Sequence, residues 1–266
     1  MELGLRGRVA VVCAASQGLG KAVAIGFARQ STHVVICSRD AKRLRTAAKE
    51  IAAENPSGSS RVVPVVADVT KPRDIKKLIA TAAREFGRID ILVTNAGGPP
   101  VAQFLDLDDE AWEKGIALNL LSTIRCIREV FPHMQKRKWG RIINITSIAA
   151  KQPINDLVIS STVRPGILGL TKVLANQYGR EGILINTVAP GYILTARQRE
   201  ISTSRAAKAG VTVEEYMKNL AHDVPVGRYG DPEELANVIV FLGSECSSYI
   251  NGATISVDGG LSKGLL

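Results

Sequence analysis

The chain has 266 residues, of which 45% are hydrophobic and 22% are charged. These proportions are typical of a folded globular protein and exclude a disordered, collagen-like or coiled-coil chain. The net charge of +9 is not accompanied by any nucleic-acid-binding motif, so we expect no nucleic-acid partner. A solvated basic surface is the favoured interpretation of this charge, and an anionic small ligand is the alternative.

The sequence shows neither a membrane span nor a leader segment. No apolar run approaches the ~18 residues that a transmembrane helix needs, and residues 1–8 lack the apolar core of a signal peptide. Cys13, Cys37, Cys126 and Cys246 lie far apart without a Cys-x-x-Cys pair, which favours free thiols in a reducing compartment. We therefore expect a cytoplasmic protein that has no membrane partner.

Short β-branched segments alternate with longer helical patterns along the whole chain. Several of the short segments are apolar at consecutive positions, as expected for parallel strands that helices cover on both faces. The alternation predicts an α/β fold with a doubly wound parallel sheet, formed by a single domain over residues 1–266. The predicted strands are residues 9–13, 33–37, 61–66, 91–94, 141–145, 184–188 and 253–257.

Three predicted helices carry capping signals at their starts. Residues 231–234, Asp-Pro-Glu-Glu, combine an N-cap acid, a proline at the first helical position and an acid at the third. Asp40 and Thr70 are predicted to cap the helices that follow them. The polar, weakly periodic segment from Thr195 to Arg228 is predicted to form a mobile lid.

A glycine-rich turn follows the first predicted strand and leads directly into a helical pattern. In that position, backbone amides can approach a pyrophosphate at the positive end of the helix, which predicts dinucleotide binding. An ordinary tight turn is the alternative. Ala14 stands where a glycine usually opens such a loop, so either its φ is negative or the loop holds strain. The predicted cofactor residues of this turn are Ala14, Ser16, Gln17, Gly18, Leu19 and Gly20.

The residues after the second strand favour NADP(H) over NAD(H). An acid there would bind a ribose 2′-hydroxyl and repel a 2′-phosphate, whereas this chain has Ser38-Arg39-Asp40. Ser38 can donate a hydrogen bond to a phosphate, and Arg39 can form a charge-assisted pair with it. We expect NADP(H) as the preferred cofactor and keep NAD(H) as the alternative.

These motifs together resemble the short-chain dehydrogenase/reductase family, in particular its 3-oxoacyl-ACP reductase-like enzymes, over nearly the whole chain. The resemblance implies a Rossmann-type sheet of seven strands in the order 3-2-1-4-5-6-7, with helices on both faces. The matching pieces are Ala14-(x)3-Gly18-Leu19-Gly20, Asp68-Val69, Asn95-Ala96-Gly97, Asn119, Ser147, Pro190-Gly191 with Thr195, and Asp258-Gly259-Gly260.

The resemblance also implies contacts with the cofactor. Asp68 and Val69 would border the adenine, and the segment Asn95-Ala96-Gly97 would border the ribose. The residues implied at the nicotinamide end are Pro190, Gly191, Ile193 and Thr195.

The resemblance breaks at the residues that transfer the proton in that family. The family uses a Tyr and a Lys four residues apart, and these two positions hold Ser160 and Arg164 in this chain. Asn119 and Ser147 would keep their catalytic roles, and Arg164 would still bind the ribose. A serine is a far weaker acid than a phenol, and an arginine cannot release a proton at neutral pH. We therefore expect lower activity on the family's usual substrates.

Two neighbouring features bear on this altered site. Pro165 predicts either a kink around residues 161–165 or a helix that starts near Arg164. Tyr192 lies on the loop expected to cover the nicotinamide, and packing in the lid is favoured over replacement of the missing Tyr. Ser147 and Ser160 could instead share a substrate oxygen.

Two functions remain open. The favoured one is an NADP(H)-dependent oxidoreductase that interconverts a carbonyl and an alcohol on a small molecule. The rival is a dinucleotide-binding module with little or no catalysis, and non-redox chemistry with a structural cofactor is a weaker third. No metal site is expected, because the three histidines have no ligand spacing. By the resemblance, the helices that contain Asn119 and Arg164 imply a homodimer or homotetramer.

Overall fold

The computed structural model describes residues 2–55 and 58–264, and in them seven parallel strands form a sheet ordered β3-β2-β1-β4-β5-β6-β7. This order confirms the predicted fold class, and each strand boundary lies within two residues of its prediction. Successive strands are added toward one edge of the sheet from β1 to β3 and toward the other edge from β4 to β7, and this change of order places a crevice at the carboxyl ends of β1 and β4. The strands are β1 Val9–Val12, β2 His33–Ser38, β3 Val62–Val66, β4 Ile91–Thr94, β5 Gly140–Ile145, β6 Ile183–Pro190 and β7 Thr254–Val257.

Helices cover both faces of this sheet because alternate strand residues point to opposite sides. On one face, Val12 and Ile36 pack with α1, α2 and α10, and on the other, Val11 and Val35 pack with α3 and α5. The helices are α1 Gly18–Arg29, α2 Ala41–Ala53, α3 Pro72–Phe86, α4 Asp109–Ile116, α5 Ser122–Arg137, α6 Val158–Val163, α7 Pro165–Tyr178, α8 Ala196–Ala209, α9 Val213–Asp223 and α10 Pro232–Leu242. Within the described ranges, every helix is too short or too polar to cross a membrane.

The helix starts confirm two of the three predicted caps. Asp40 accepts a hydrogen bond from the Arg43 N–H, and Asp231 begins a capping box with Glu234. The prediction for Thr70 is wrong: Lys71 is the N-cap of α3, and both the N–H and the hydroxyl of Thr70 donate to Asp68. A carboxylate two residues earlier offers Thr70 a closer partner than the helix does.

Pro165 is the first residue of α7, and α6 ends at Val163. This confirms the prediction of a helix that starts near Arg164, because a proline lacks the N–H that a continuous helix would require there. Arg164 thus sits at the joint between two helices, directly beside the carboxyl edge of the sheet.

Candidate functional site

The glycine-rich turn between β1 and α1 has a strained shape. Ala14 has φ of +50°, a region that residues with a Cβ rarely adopt. The N–H of Ala15 donates to the carbonyl of Cys37 at 3.0 Å, which anchors the turn to β2. The sequence left open either a negative φ at Ala14 or a strained loop, and the structure shows the strained loop.

Replacing Ala14 by glycine is expected to raise the free energy of unfolding by about 0.5–1 kcal/mol, because relief of the positive φ outweighs the extra freedom of the unfolded chain. Chemical denaturation measures this change. The matched control is Ala15→Gly: Ala15 is fully buried and is not among the positive-φ residues, so this variant should lose stability. Equal effects of the two substitutions would contradict the prediction.

The amino end of α1 is shaped to accept an anion. Its first turn holds no acidic residue, and the side chain of Gln17, its N-cap, makes no capping hydrogen bond. The backbone N–H groups of that turn therefore remain available to a ligand. A Cβ at Gly20 would lie 2.5 Å from the carbonyl oxygen of Ala14, so only glycine allows this approach between the turn and the helix.

A cleft of about 470 Å³ runs along the carboxyl edge of the sheet. It is lined by every cofactor residue expected from the sequence except Gly20, which lies behind the turn, and by every expected catalytic residue except Asn119. The expected residues that line it are Ala14, Ser16, Gln17, Gly18, Leu19, Ser38, Arg39, Asp68, Val69, Asn95, Ala96, Gly97, Ser147, Ser160, Arg164, Pro190, Gly191, Ile193 and Thr195.

Asn119 lies behind the wall of the cleft. It is buried in a π-helical turn, Ala117–Leu121, and its Nδ2 donates to the carbonyl of Gly97 at 3.0 Å. Its Oδ1 is buried without a hydrogen-bond partner among the described residues. The π-helical turn directs Leu118, not Asn119, into the cleft, so Asn119 can act on the site only by positioning Gly97 or through a bound water.

Ser147, Ser160 and Arg164 meet at one end of the cleft. Ser147 follows β5, and its Oγ accepts a hydrogen bond from the N–H of Ala149 at 3.1 Å. The Oγ of Ser160 accepts one from Nε of Arg164 at 2.9 Å. Because each hydroxyl oxygen already accepts a hydrogen bond, its own proton is available to donate into the cleft.

Arg164 is buried and carries its charge in neutral surroundings. Its Nη1 donates to the carbonyl of Thr146 at 2.7 Å, and Ser160 is its other hydrogen-bond partner. Burial lowers the pKa of the Arg164 guanidinium to about 10, so the group stays positively charged at neutral pH. This end of the cleft thus combines a fixed cation with two hydroxyl donors.

The opposite end of the cleft holds two arginines. Arg39 was expected from the sequence, whereas Arg43 was missed. The sequence feature that could have identified Arg43 as a cleft residue is its position in the first turn of α2, three residues after the cap. Nε of Arg43 donates to Asp40 at 2.6 Å and its Nη1 donates to Gln17 at 3.1 Å. Both the N–H and the guanidinium of Arg43 lower the pKa of Asp40. The hydroxyl of Ser38, expected to donate to a phosphate, donates instead to the Asp40 carbonyl.

The segment from Thr195 to Arg228 contains α8 and α9 and covers one side of the cleft. Arg197 of α8 lines the cleft and donates from Nη2 to the carbonyl of Pro99 at 2.9 Å. Arg205 of α8 makes two hydrogen bonds to Asp156, at 2.6 and 2.8 Å. These contacts connect the segment to the loops after β4 and β5.

Tyr192 faces away from the cofactor cleft. It lines a second cavity of about 660 Å³, beside Arg205 and Tyr216, and its ring lies 6.1 Å from that of Tyr229. This placement is in keeping with the expected packing of Tyr192 in the lid, which the sequence favours over replacement of the missing Tyr. Among residues 2–55 and 58–264, no cluster of His, Cys, Asp and Glu is suited to hold a metal ion.

Known proteins resemble this chain over almost its full length. A family model described as enoyl-(acyl carrier protein) reductase matches residues 13–262. A 3-oxoacyl-[acyl-carrier-protein] reductase from Synechocystis sp. is 34% identical, covering 97% of this chain and 98% of the relative. The structure of L-sorbose reductase from Gluconobacter frateurii with NADPH and L-sorbose is 33% identical, with a TM-score of 0.94 and full coverage of both chains.

A further solved structure is that of an NADPH-bound short chain oxidoreductase from Pseudomonas aeruginosa, described as containing an atypical catalytic center. It is 31% identical, has a TM-score of 0.89, and the match covers 98% of this chain and 99% of that one.

Proposed function

The chain belongs to the short-chain dehydrogenase/reductase family of oxidoreductases, and on that premise we propose that it interconverts a carbonyl and an alcohol on a small molecule with NADP(H) as cofactor. The proton-transfer pair of the family is replaced by Ser160 and Arg164. The observation that carries the proposal is the convergence of the Ser147 hydroxyl, the Ser160 hydroxyl and the Arg164 guanidinium at one end of the cleft.

The described residues fit a dinucleotide. The turn from Ala14 to Gly20 and the amino end of α1 would hold the pyrophosphate, and Arg39 with Arg43 would bind a 2′-phosphate. The loops 95–97 and 190–195 would enclose the ribose and the nicotinamide. The bound cofactor supplies or accepts the hydride at the reacting carbon.

The protein residues act on the substrate oxygen. Ser147 and Ser160 donate hydrogen bonds to the substrate oxygen. Arg164 donates a hydrogen bond to the Ser160 oxygen and so holds that hydroxyl in place. The positive charge of Arg164 also stabilises the negative charge that the substrate oxygen gains during reduction. Neither a serine nor an arginine releases a proton near neutral pH, so the proton comes from solvent water. Without a pKa-matched acid, turnover is expected to be about 10²- to 10⁴-fold below that of an enzyme that has one.

The test measures NADPH oxidation and NADP⁺ reduction across a panel of carbonyls and alcohols, beside a cofactor titration on the same sample. The rival function is a dinucleotide-binding module, and the observation in its support is the absence of the family's Tyr and Lys. The double variant Ser160→Tyr/Arg164→Lys separates the two. If the unmodified protein has measurable activity and the double variant loses it, the site with Ser160 and Arg164 is a working one. If the unmodified protein is inactive and the double variant gains activity, the unmodified protein is a binding module.

The pH profile of kcat is expected to be flat, with changes below about threefold between about pH 6 and about pH 9. The cleft lining contains no His, Lys or Tyr among the described residues. A hydrogen bond with Cys13, together with burial, raises the pKa of Cys37 well above its usual range. A slope of about tenfold per pH unit in this window would reveal a titrating proton donor and contradict the mechanism.

Cofactor preference is expected to depend on both arginines at the adenine end. Arg39→Gln and Arg43→Gln should each raise the NADPH dissociation constant about 10- to 100-fold and leave that of NADH nearly unchanged, since only NADPH offers a 2′-phosphate. Titration of each variant with both cofactors tests this. Arg45→Gln on α2, outside the cleft, is the control. Equal or tighter NADH binding by the unmodified protein would overturn the NADP(H) assignment.

We also propose a homodimer or homotetramer. Helices α5 and α7 border an apolar groove of about 350 Å³, which a second copy of the chain would cover; its lining includes Ile124, Phe131, Leu170 and Leu174. Light scattering that shows a stable monomer would contradict the proposed oligomer.

We further propose a single domain over residues 1–266 with a substrate lid at about 195–228, which limited proteolysis tests. A cytoplasmic location is supported by the wide spacing of the four cysteines along the chain, without a Cys-x-x-Cys pair, and by the burial of Cys13, Cys37 and Cys126. Cell fractionation tests this location.

A further inference from the structure

Arginine side chains supply the positive charge in the lining of the cofactor cleft. Among the described residues these are Arg39, Arg43, Arg164 and Arg197, and neither lysine nor histidine lines the cleft. Arg39 and Arg43 lie at the adenine end, and Arg164 is buried at the opposite end. The remaining one, Arg197, belongs to the lid, and neither the sequence nor the proposed mechanism gives it a role.

The start of the lid helix α8 lies against the start of α1. Thr195 is the N-cap of α8, and a Cβ on Gly18, the first residue of α1, would lie 3.7 Å from Cγ2 of Thr195. Arg197 follows two residues later, in the first turn of α8. It therefore lies on the wall of the cleft that adjoins the backbone amides expected to hold the pyrophosphate.

The guanidinium of Arg197 lies over the loop after β4. A Cβ on Gly98 would lie 3.6 Å from both Nε and Nη2 of Arg197, and Nη2 donates to the Pro99 carbonyl at 2.9 Å. Because β4 is the direct neighbour of β1 in the sheet, this loop and the glycine-rich turn leave the sheet roughly 5 Å apart. The guanidinium is thus within reach of a pyrophosphate bound at the turn.

The partners that Arg197 has in this structure leave it available to an anion. Its ion pair with Glu200, at 3.5 Å, lies within one helix, and the two side chains are 44% and 65% exposed. Such exposed pairs contribute little to stability. The two carboxylates that line the cleft, Asp40 and Asp68, follow β2 and β3 and lie at the adenine end. Of its five N–H donors, three make no hydrogen bond to a described residue.

We propose that Arg197 binds the pyrophosphate of the cofactor from the lid side, across from the amino end of α1. Without Arg197, the doubly negative pyrophosphate would meet only backbone N–H groups and the positive end of the helix dipole. A charge-assisted pair with the guanidinium strengthens this binding. Because Arg197 belongs to α8, the same pair fastens the lid over the bound cofactor. The inference rests on the dinucleotide site of the proposed function and adds a residue to it.

Fragments of the cofactor test this binding without turnover. 2′-Phospho-ADP-ribose contains the pyrophosphate, whereas adenosine 2′-phosphate lacks it, and each is titrated calorimetrically into the protein. Arg197→Gln should raise the dissociation constant of 2′-phospho-ADP-ribose about tenfold and change that of adenosine 2′-phosphate less than about twofold. Arg197→Lys should keep part of the affinity. A change below about threefold for 2′-phospho-ADP-ribose, or an equal loss for both fragments, would overturn the inference.

Further comparisons locate the contact. Arg39→Gln should weaken the binding of both fragments, because both carry the 2′-phosphate. Arg197→Gln should weaken NADPH and NADH by the same factor, because both contain the pyrophosphate, and a larger loss for NADPH would place Arg197 at the 2′-phosphate and refute the inference. The matched control is Arg199→Gln: Arg199 is an exposed arginine of the same helix that does not line the cleft, so this variant should bind both fragments like the unmodified protein.

Hydrogen–deuterium exchange measures the fastening of the lid. NADPH should slow the exchange of the α8 amides in the unmodified protein, and this slowing should be largely lost in Arg197→Gln at saturating NADPH. A merely structural role of Arg197 would instead speed exchange in the free protein as well. That result, like an equal slowing by NADPH in both proteins, would refute the fastening.

Turnover separates this inference from the proposed function. Weakened binding of 2′-phospho-ADP-ribose in Arg197→Gln, without turnover of any carbonyl or alcohol by the unmodified protein, supports the inference and refutes the oxidoreductase. Turnover by the unmodified protein, with fragment binding that does not depend on Arg197, supports the oxidoreductase and refutes the inference.

Discussion

Ser147→Ala is expected to lower kcat/KM about 100- to 1,000-fold while the NADPH dissociation constant changes less than about twofold. The Ser147 oxygen accepts a hydrogen bond from the Ala149 N–H, so its proton is available to the substrate oxygen. The family's phenol is absent here, and Ser147 is one of two hydroxyls left to bind that oxygen. Steady-state kinetics on the best substrate of the panel measures the loss.

The matched control for this variant is Ser161→Ala. The Ser161 hydroxyl also accepts a backbone hydrogen bond at 3.1 Å, from Ile154, but Ser161 does not line the cleft. Both substitutions remove a backbone N–H contact of 3.1 Å, and Ser161→Ala also removes a donation to the Ile154 carbonyl at 3.4 Å. A larger loss of activity in Ser147→Ala is therefore due to its hydroxyl in the cleft. Activity of Ser147→Ala within about threefold of the unmodified protein would remove Ser147 from the proposed mechanism.

Gly20→Ala is expected to raise the NADPH dissociation constant about 100-fold. Its Cβ would lie 2.5 Å from the Ala14 carbonyl oxygen and 3.0 Å from the Cα of Ala15, and both neighbours are backbone atoms that cannot turn away. The turn must move from the helix, which separates the backbone amides that would bind the pyrophosphate. The same clash should lower the free energy of unfolding by about 1–3 kcal/mol.

Fluorescence titration with NADPH and chemical denaturation test these two effects together. Gly169→Ala in α7 is the control: a Cβ there meets no atom within 4 Å, so stability should stay equal or rise by up to about 1 kcal/mol. An unchanged NADPH affinity in Gly20→Ala, beside a clear loss of stability, would show that the turn does not hold the cofactor.

The altered site exchanges a titrating acid for a fixed charge. A phenol near a cation can both stabilise and protonate an oxygen, whereas Arg164 can only stabilise it, because its pKa of about 10 lies well above neutrality. The flat pH profile is therefore a direct consequence of this exchange.

Local patterns in the sequence were sufficient to predict the strands of a parallel sheet, the glycine-rich turn and the joint at Pro165, whereas the strand order came from the family resemblance. The strand pattern, completed by the family resemblance, identified the sheet, and the absent N–H of Pro165 required α7 to begin there. The family resemblance likewise placed Ser160 and Arg164 at the positions of the missing pair. These properties depend on neighbours in the chain, which a sequence displays directly.

Only the tertiary structure decided where individual polar groups point. The positive φ of Ala14, the donation from Asn119 to Gly97 and the placement of Arg43 in the cleft each depend on residues that lie distant in sequence or across a turn. The missing carboxylate partner of Arg164 likewise became visible only when every surrounding element was in place. Hydrogen bonds and charge pairs are three-dimensional contacts, and periodicity along a chain carries no information about which distant partner occupies the remaining space.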